Sequence, residues 1–368
     1  MAISIRPYAD GDIPAAKAFN ERMLSGNAPS EFMLPEAMPR PLSELAEPLI
    51  TSTYFLAGDG EFVRGGFVLT DYPASLAGEK VNATDLIAPL SEGIIDPAFG
   101  MTGMQYIKYL QKYTKYGMAV GMGNVNNPFP RLLKAAGWNV MSVPFFFHVV
   151  RAGRFFSQMR VFEGSMAKKL VAGIAGPTGL GALGVAALQY RKWTAGAVLD
   201  VADPGEWGAW ADEIWRRFLP HCSFAITRDA AALREFHPPA DKRMVRLVLK
   251  RAGKPVGWAA ALLTQMHDDK YFGNLKVATI MDCVAAVEDL PAAIVASTND
   301  LGRRGADLVI TNQTHSLSQN AFRGAGYLSG PSNYCLGVSK TIAEVVKAAG
   351  GDGTIYVTRA DGDGRMHL

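Results

Sequence analysis

Polar side chains cluster where two apolar strands are predicted to end. One cluster follows the stretch from Met118 to Gly123 and the other follows Ala306 to Thr311; the clusters comprise Asn124, Asn126, Asn127, Asn312, Gln313, Thr314 and His315. Side chains of these types can form hydrogen bonds with the polar groups of a sugar or a peptide. A competing interpretation is that Asn127 and Ser316 cap the helices that follow, because Asn and Ser are favoured at that position.

An acid–base pair is a second possibility in the later half of the chain. Asp282 ends the apolar stretch Ile280-Met281-Asp282, and His315 lies in the second polar cluster. An imidazole beside a carboxylate can exchange a proton near neutral pH, although a single histidine of this kind is more often structural. Both interpretations remain open. The spacing of the histidines at 148, 221, 237 and 267 is not that of metal ligands, so no metal site is predicted.

The same order of elements is predicted in both halves of the chain. Ile94-Ile95-Asp96 and Ile280-Met281-Asp282 each precede a predicted helix, a strand and a short helix. The short helices close on Ala136-Gly137-Trp138 and Ala325-Gly326-Tyr327. A repeat of this length predicts two copies of one α/β unit.

Length and composition are consistent with two globular domains. A chain of 368 residues exceeds the size at which a single core stops growing. The formal net charge of +3, with no basic stripe among aromatics, argues against a nucleic-acid partner. Three well-separated cysteines (Cys222, Cys283 and Cys335) indicate a reducing compartment. Because the first residues contain no apolar signal-like stretch, we expect a cytoplasmic protein.

The junction between the halves is basic and rich in Gly and Ala. The predicted domains are 1–151 and 196–368, with a linker over 152–195. Leu170 to Gln189 contains no charged residue, but its five glycines and Pro177 favour a connector over a membrane-spanning helix. The surrounding lysines and arginines could favour peripheral contact with an anionic membrane surface, although a solvated basic face is the default interpretation.

Element order and the closing "Asn … Leu-Leu … Gly-aromatic" segment resemble the GNAT acyltransferase superfamily. The resemblance covers both halves and implies an α/β protein with two GNAT-like domains, each a mixed, mostly antiparallel sheet flanked by helices. The stretch Arg228-Asp229-Ala230-Ala231-Ala232-Leu233 and the tail Asp361-Gly362-Asp363-Gly364 resemble tandem GNAT proteins associated with bacterial polysaccharide and cell-envelope genes. Those proteins are related in architecture to Fem-type peptidyltransferases.

The resemblance also assigns candidate site residues. Acyl-CoA or acetyl-CoA would bind through backbone N–H groups of the loop Gly100, Met101, Thr102, Gly103 and Met104. Glu92, before this loop, and Asn126 are the candidate catalytic residues. Asn124, Asn127, Asp282, Asn312 and His315 are the candidate acceptor-binding residues.

Two positions depart from the superfamily pattern. Its usual acid is a tyrosine four residues before the closing glycine, but Leu133 and Phe322 stand there. Neither side chain can donate a proton, which leaves Tyr106, water or the acceptor as a substitute. In the second half, Glu288 and Asp289 occupy the segment where phosphate would bind, so that copy is not expected to bind coenzyme A.

The resulting prediction is an acyltransferase that moves an acyl group from acyl-CoA to an amine or hydroxyl. Its acceptor would be a small molecule, glycan or peptide that serves as a cell-envelope or polysaccharide precursor. The alternative is a tandem GNAT protein that has lost catalysis and binds a ligand or a protein partner, since fold alone does not guarantee activity.

Overall fold

The computed structural model describes residues 3–29, 32–39, 47–159 and 199–362. Its helices and strands, in chain order, are β1 (Ser4–Pro7), α1 (Ile13–Ser25), β2 (Thr51–Gly58), β3 (Val63–Leu76), β4 (Glu79–Ser91), α2 (Thr102–Tyr113), β5 (Gly117–Gly121), α3 (Pro128–Ala135), β6 (Asn139–Ser142), β7 (Phe145–Val149), α4 (Ala152–Met159), β8 (Asp200–Ala202), α5 (Ala209–Phe218), β9 (Phe224–Ile226), α6 (Ala230–Phe236), β10 (Met244–Arg251), β11 (Lys254–Gln265), β12 (Lys276–Ala285), α7 (Leu290–Arg303), β13 (Leu308–Asn312), α8 (Ser316–Gly324), β14 (Leu328–Gly330), β15 (Cys335–Val338), α9 (Lys340–Ala348) and β16 (Ile355–Tyr356).

The chain divides into two compact units. The first unit comprises Met1–Ser142 and Asn333–Ala348, and the second comprises Val143–Ser332 and Ala349–Leu368. Each contains a mixed, mostly antiparallel sheet flanked by helices, which confirms the fold class predicted from the sequence.

In the first unit the sheet has the order β1-β2-β3-β4-β5-β15-β6, and only β4 and β5 run parallel. The turn that begins at Gly58 joins β2 to β3 as an antiparallel hairpin. Helices α2 and α3 pack on this sheet through a buried apolar cluster that includes Phe67, Tyr106, Leu110 and Trp138. This packing fixes the start of α2 relative to the strands.

In the second unit the sheet has the order β14-β7-β13-β12-β11-β10-β8, with β12 and β13 parallel. The tryptophan-rich α5 and the helix α7 cover it, and Trp207 and Trp258 are buried in the resulting core. The short strands β9 and β16 pair in parallel, which brings the C-terminal segment into this unit.

One strand in each sheet comes from the other half of the sequence. Strand β15 lies between β5 and β6, where Leu336 pairs with Val120 and Met141. Strand β7 lies between β13 and β14, where Phe147 pairs with Ile310 and Leu328. The units therefore differ from the predicted boundary at residue 151, because a short apolar strand does not reveal which sheet it joins. Most of the predicted linker lies outside the described residues.

The closing glycines of the two predicted copies have matching backbone conformations. Gly137 and Gly326 both follow short helices with positive φ values of 82° and 83°, as a glycine after a helix allows. At the start of the repeat the aspartates differ. Asp96 caps a 3-10 helix after β4, whereas Asp282 lies within β12. The two Ile-rich motifs are therefore not equivalent positions.

Candidate functional site

Strands β4 and β5 diverge after a short parallel contact in the first unit. Pairing is confined to Thr84 with Gly117 and Asp85 with Met118. Past this point the Val120 N–H donates to the Asp85 carboxylate at 3.2 Å instead of to a β4 carbonyl. Strand β4 also carries a register shift against β3, with Ala88 at a positive φ of 48°. A bulge of this kind bends a strand.

The loop that follows β4 leads directly into helix α2. Asp96 accepts a hydrogen bond from the Ala98 N–H and begins the 3-10 helix Pro97–Phe99. Gly100 has a φ of −59°, so this turn does not require a glycine for a positive φ. The backbone then turns at Met101, and α2 begins at Thr102.

Helix α2 leaves unpaired amides at its first turn. The Met104 N–H donates to the Met101 carbonyl, and the Thr102 hydroxyl donates to the Phe99 carbonyl at 2.7 Å. Among the described residues, the N–H groups of Met101, Thr102 and Gly103 have no acceptor within hydrogen-bonding distance. Unpaired amides and the helix dipole together favour an anion at such a position.

The glycine at position 103 has a packing role. A Cβ atom there would lie 3.0 Å from Leu132 Cδ1 and 3.3 Å from a ring carbon of Phe129, both on α3. Close packing of α2 against α3 therefore explains this glycine without a ligand. Met101, by contrast, is 61% exposed and immediately precedes the first residue of α2.

Glu92 is buried in an ion-pair network. Its carboxylate accepts from Arg22 Nε at 3.0 Å and from Arg64 Nη1 at 3.0 Å. Arg64 also pairs with Asp59 at 2.7 Å. Both carboxylate oxygens of Glu92 thus accept hydrogen bonds from guanidinium groups.

The three asparagines after β5 lie in an exposed turn. Residues Gly121, Met122 and Gly123 all have positive φ, and the Asn126 N–H donates to Asn124 Oδ1 at 2.8 Å. Asn127 is the residue before α3, but its side chain makes no capping hydrogen bond. The cap interpretation thus holds for the position of Asn127 and fails for its side chain. All three amides are exposed on the chain segment that leaves β5.

Tyr106 and the two residues at the usual tyrosine positions are buried in the core. The Tyr106 hydroxyl donates to the Leu90 carbonyl at 2.6 Å, and burial raises its pKa well above the usual range. Leu133 is fully buried against the sheet, as is Phe322 in the second unit. Tyr106 is therefore an unsuitable replacement for the missing tyrosine, because a donor of this kind must reach the reacting group.

Asp282 belongs to a buried polar cluster in the second unit. It accepts from Arg228 Nε at 2.8 Å and contacts His237 Nε2 at 3.1 Å, and the Thr358 hydroxyl donates to it at 2.8 Å. Arg228 also donates to Asp361 at 2.6 Å. All five side chains are inaccessible to solvent. We call these residues the Arg228 cluster.

The Arg228 cluster explains two sequence features that the functional prediction did not use. Arg228, in the Arg228-Asp229 stretch, pairs directly with Asp361 in the aspartate-rich tail. His237, whose spacing from the other histidines predicts no metal site, contacts Asp282 in this cluster. Their proximity could not be predicted from local sequence patterns, because 133 residues separate the arginine from Asp361.

Opposing effects set the ionisation of the two aspartates. Burial opposes charge on Asp282, but Arg228 and the hydrogen bonds from His237 and Thr358 outweigh it and lower the pKa to about 2. Burial raises the pKa of Asp361; Arg228 partly offsets this rise and the Asp282 charge adds to it. The arginine is thus shared between one firmly ionised carboxylate and one more easily protonated carboxylate.

The proposed pairing of Asp282 with His315 is wrong. His315 Nε2 contacts the His221 carbonyl at 2.9 Å, and burial lowers the imidazole pKa. Asn312 donates to the Val143 carbonyl at 3.2 Å and is buried. Neither side chain faces an open acceptor site, because both hold backbone segments of the second unit.

The start of helix α7 in the second unit is acidic. Glu288 pairs with Arg217 at 3.0 Å, and Asp289 pairs with Arg251. Pro291, at the first turn, has no amide hydrogen to offer. These features agree with the expectation that this copy does not bind a phosphate group.

Within the described ranges there is no cluster of three or more residues suited to hold a metal ion, nor a helix long and apolar enough to cross a membrane. The stretch Leu170 to Gln189 lies outside those ranges, so its predicted role as a connector stays a prediction.

Comparisons with known proteins identify the fold. No protein-family model and no curated protein matches the sequence. N-myristoyltransferase from Saccharomyces cerevisiae, solved with bound myristoyl-CoA, has a TM-score of 0.50 at 6% identity and covers 91% of this chain and 78% of its own. At this identity the likeness shows a shared fold alone.

Two further structures are similar at lower scores. A probable N-acyltransferase from Enterococcus faecalis has a TM-score of 0.48 at 8% identity, covering 92% of this chain and 72% of its own. A GCN5-related N-acetyltransferase from Anabaena variabilis has a TM-score of 0.46 at 11% identity, covering 91% and 72%.

Proposed function

We propose that the first unit binds acyl-CoA and transfers its acyl group to an amine or hydroxyl. The observation that carries this proposal is that the N–H groups of Met101, Thr102 and Gly103 are unpaired. These residues lie at the start of α2, after the point where strand β4 diverges from β5. A diphosphate suits such a helix end. The bound myristoyl-CoA of the structurally similar N-myristoyltransferase supports an acyl-CoA donor.

The chemistry would depend on positioning more than on side-chain acids and bases. The acceptor nitrogen or oxygen attacks the thioester carbonyl, the carbon–sulfur bond breaks, and coenzyme A leaves as a thiolate. The acceptor proton passes to solvent, and the thiolate takes a proton from solvent. Backbone N–H groups near the bend in β4 would stabilise the oxyanion. Orientation of two bound reactants can supply much of the rate enhancement without the missing tyrosine.

Exposed amides after β5 are proposed to contact the acceptor. Asn124, Asn126 and Asn127 present polar groups on a turn with an unusual backbone conformation. Asn126 would orient the acceptor by hydrogen bonding, because an amide side chain does not act as a base at neutral pH. Residues Asp282, Asn312 and His315 are engaged within the second unit and support no such role here.

The finer proposal concerns the acceptor and the cellular setting. The proposed acceptor is a cell-envelope or polysaccharide precursor, as the sequence resemblance implies. The protein is proposed to act in the cytoplasm, and its basic junction would make peripheral contact with an anionic membrane surface. A tandem arrangement of two GNAT-like copies is proposed on the same resemblance, supported by the matching order of parallel and antiparallel strands in the two sheets.

A non-catalytic binding protein is the second candidate function. Leu133 and Phe322 at the tyrosine positions and the buried state of Tyr106 favour it. The two functions differ in turnover, since both allow the donor to bind. Release of free thiol from acyl-CoA in the presence of candidate amines would support the enzyme.

Titration calorimetry of the full chain with acetyl-CoA and a longer acyl-CoA tests the donor site. We expect one molecule bound per chain, because the start of α7 in the second unit carries Glu288 and Asp289 where the first unit has none. Binding should weaken as salt increases, since ions screen contacts with phosphate. Absence of binding would contradict the acyl-CoA proposal, and two molecules per chain would contradict its assignment to the first unit.

A further inference from the structure

The ion-pair network around Glu92 lies directly beside the proposed donor loop. Arg22 comes from α1 and Arg64 from β3, and both guanidinium groups converge on the Glu92 carboxylate. Arg22 additionally donates to the Val63 carbonyl through Nη2. One buried carboxylate therefore ties a helix and a strand to the turn that follows β4.

The network reaches the loop through Arg64 and Phe99. The Arg64 guanidinium carbon lies 4.3 Å from the centre of the Phe99 ring, which is a cation–π distance. The Phe99 carbonyl accepts from the Ser91 hydroxyl at 3.1 Å and from the Thr102 hydroxyl at 2.7 Å. The Phe99 ring thus contacts Arg64, and the Phe99 carbonyl accepts hydrogen bonds from one residue before it and one residue after it in the chain.

The turn that contains Glu92 also packs against the loop backbone. The Glu92 carbonyl accepts from the Ile95 and Asp96 amides at 3.0 and 2.9 Å. A Cβ atom on Gly93 would lie 2.7 Å from the Gly100 Cα atom, so the two backbones are in close contact. Displacement of Glu92 would therefore be transmitted to Gly100 and to the start of α2.

We propose that Glu92, together with Arg64, is a positioning residue that fixes the donor loop and is not the general base. This inference rests on the proposed function, because it assigns a role to residues beside the same donor site. Loss of the Glu92 charge leaves the two arginines without their shared anionic partner and loosens the loop before α2. The effect should fall on donor binding, since preorganised amides bind phosphate better than mobile ones.

Glu92→Gln, which keeps the shape of the side chain and removes its charge, distinguishes the two roles. We expect the dissociation constant for acetyl-CoA to rise about tenfold. The rate constant at saturating donor should change little, and the shape of its pH profile should not change. A general base would behave differently: donor binding would persist, kcat would fall by about a hundredfold or more, and the acidic limb of the pH profile would vanish.

Arg64→Met provides a second variant and Asp12→Asn a matched control. Arg64→Met should weaken acetyl-CoA binding as Glu92→Gln does, and the double variant should lose no more than either single variant. Asp12→Asn breaks a two-point pair with Arg6, at 2.6 Å for both contacts, and should leave binding unchanged. Thermal melts of each variant establish that it is folded at the assay temperature.

The outcomes separate this inference from the proposed function. If the unmodified chain does not bind acetyl-CoA, the proposed function itself fails. If the unmodified chain binds and both variants bind equally well, the positioning role is contradicted. A selective loss of kcat in Glu92→Gln, with the acidic limb removed, would identify Glu92 as the base and overturn the inference.

Discussion

Arg228→Leu is expected to lower the free energy of unfolding of the second unit by about 3–5 kcal/mol, because it leaves buried carboxylates uncompensated. Arg228 is fully buried and contacts Asp282 and Asp361 at 2.8 and 2.6 Å. Asp361 belongs to the C-terminal segment, so the arginine also holds that segment against β12. Urea denaturation followed by tryptophan fluorescence measures the loss.

The control for Arg228→Leu is Arg217→Leu. Arg217 makes a single ion pair with Glu288 in which both side chains are about half exposed or more. An exposed pair contributes about 0–1 kcal/mol, so this variant should unfold almost as the unmodified chain does. A loss below about 1 kcal/mol in Arg228→Leu would contradict a central role for the buried cluster.

The stability difference between Arg228→Leu and the unmodified chain should depend on pH. The folded pKa of Asp282 is about 2, below its ordinary value of 3.8. Its ionised form therefore stabilises the unmodified chain above pH 3.8, and this contribution is lost as the pH falls toward 2. Without Arg228 the buried carboxylates protonate more easily, so the difference should narrow from about pH 7 to about pH 4. A constant difference over that interval would contradict this electrostatic explanation.

Met101→Glu is expected to weaken acyl-CoA binding by about ten- to a hundredfold, because it places a negative charge where the diphosphate is proposed to bind. Met101 is largely exposed and precedes the first residue of α2. A carboxylate at a helix N-terminus stabilises the helix, so the fold should be retained. Calorimetry with acetyl-CoA measures the change.

Met101→Gln is the matched control for Met101→Glu. It has nearly the same size without the charge and should bind acetyl-CoA within about threefold of the unmodified chain. The same charge at Gly103 would be a poorer test, because any side chain there meets Leu132 and Phe129 on α3. Equal binding by the two Met101 variants would exclude the diphosphate from this helix end.

Local patterns in the sequence were sufficient to predict the order of helices and strands, and the resemblance to the GNAT superfamily implied the fold class. Glycine-containing turns, apolar strands and Gly-aromatic closures follow from interactions between near neighbours in the chain. The exchange of β7 and β15 was not predictable in this way, because Phe145 to Val149 has the same strand pattern whichever sheet receives it. Partner choice is set by tertiary packing.

The candidate site was only partly predictable for the same reason. The loop from Gly100 to Met104 could be located from its glycines and the helix after it. The N–H groups of Met101, Thr102 and Gly103 within it are unpaired among the described residues. The role of Glu92 could not be read from its position, since Arg22 lies 70 residues away in sequence. The pairing of Arg228 with Asp361 could not be predicted either, because these residues are still further apart in the sequence.

A structure of the full chain with coenzyme A bound tests the central claim most directly. We predict diphosphate oxygens at about 2.7–3.2 Å from the amide nitrogens of Met101, Thr102 and Gly103, the usual range for such hydrogen bonds. The start of α7 in the second unit should hold no phosphate. A diphosphate bound at α7, or anywhere away from the first turn of α2, would contradict the account.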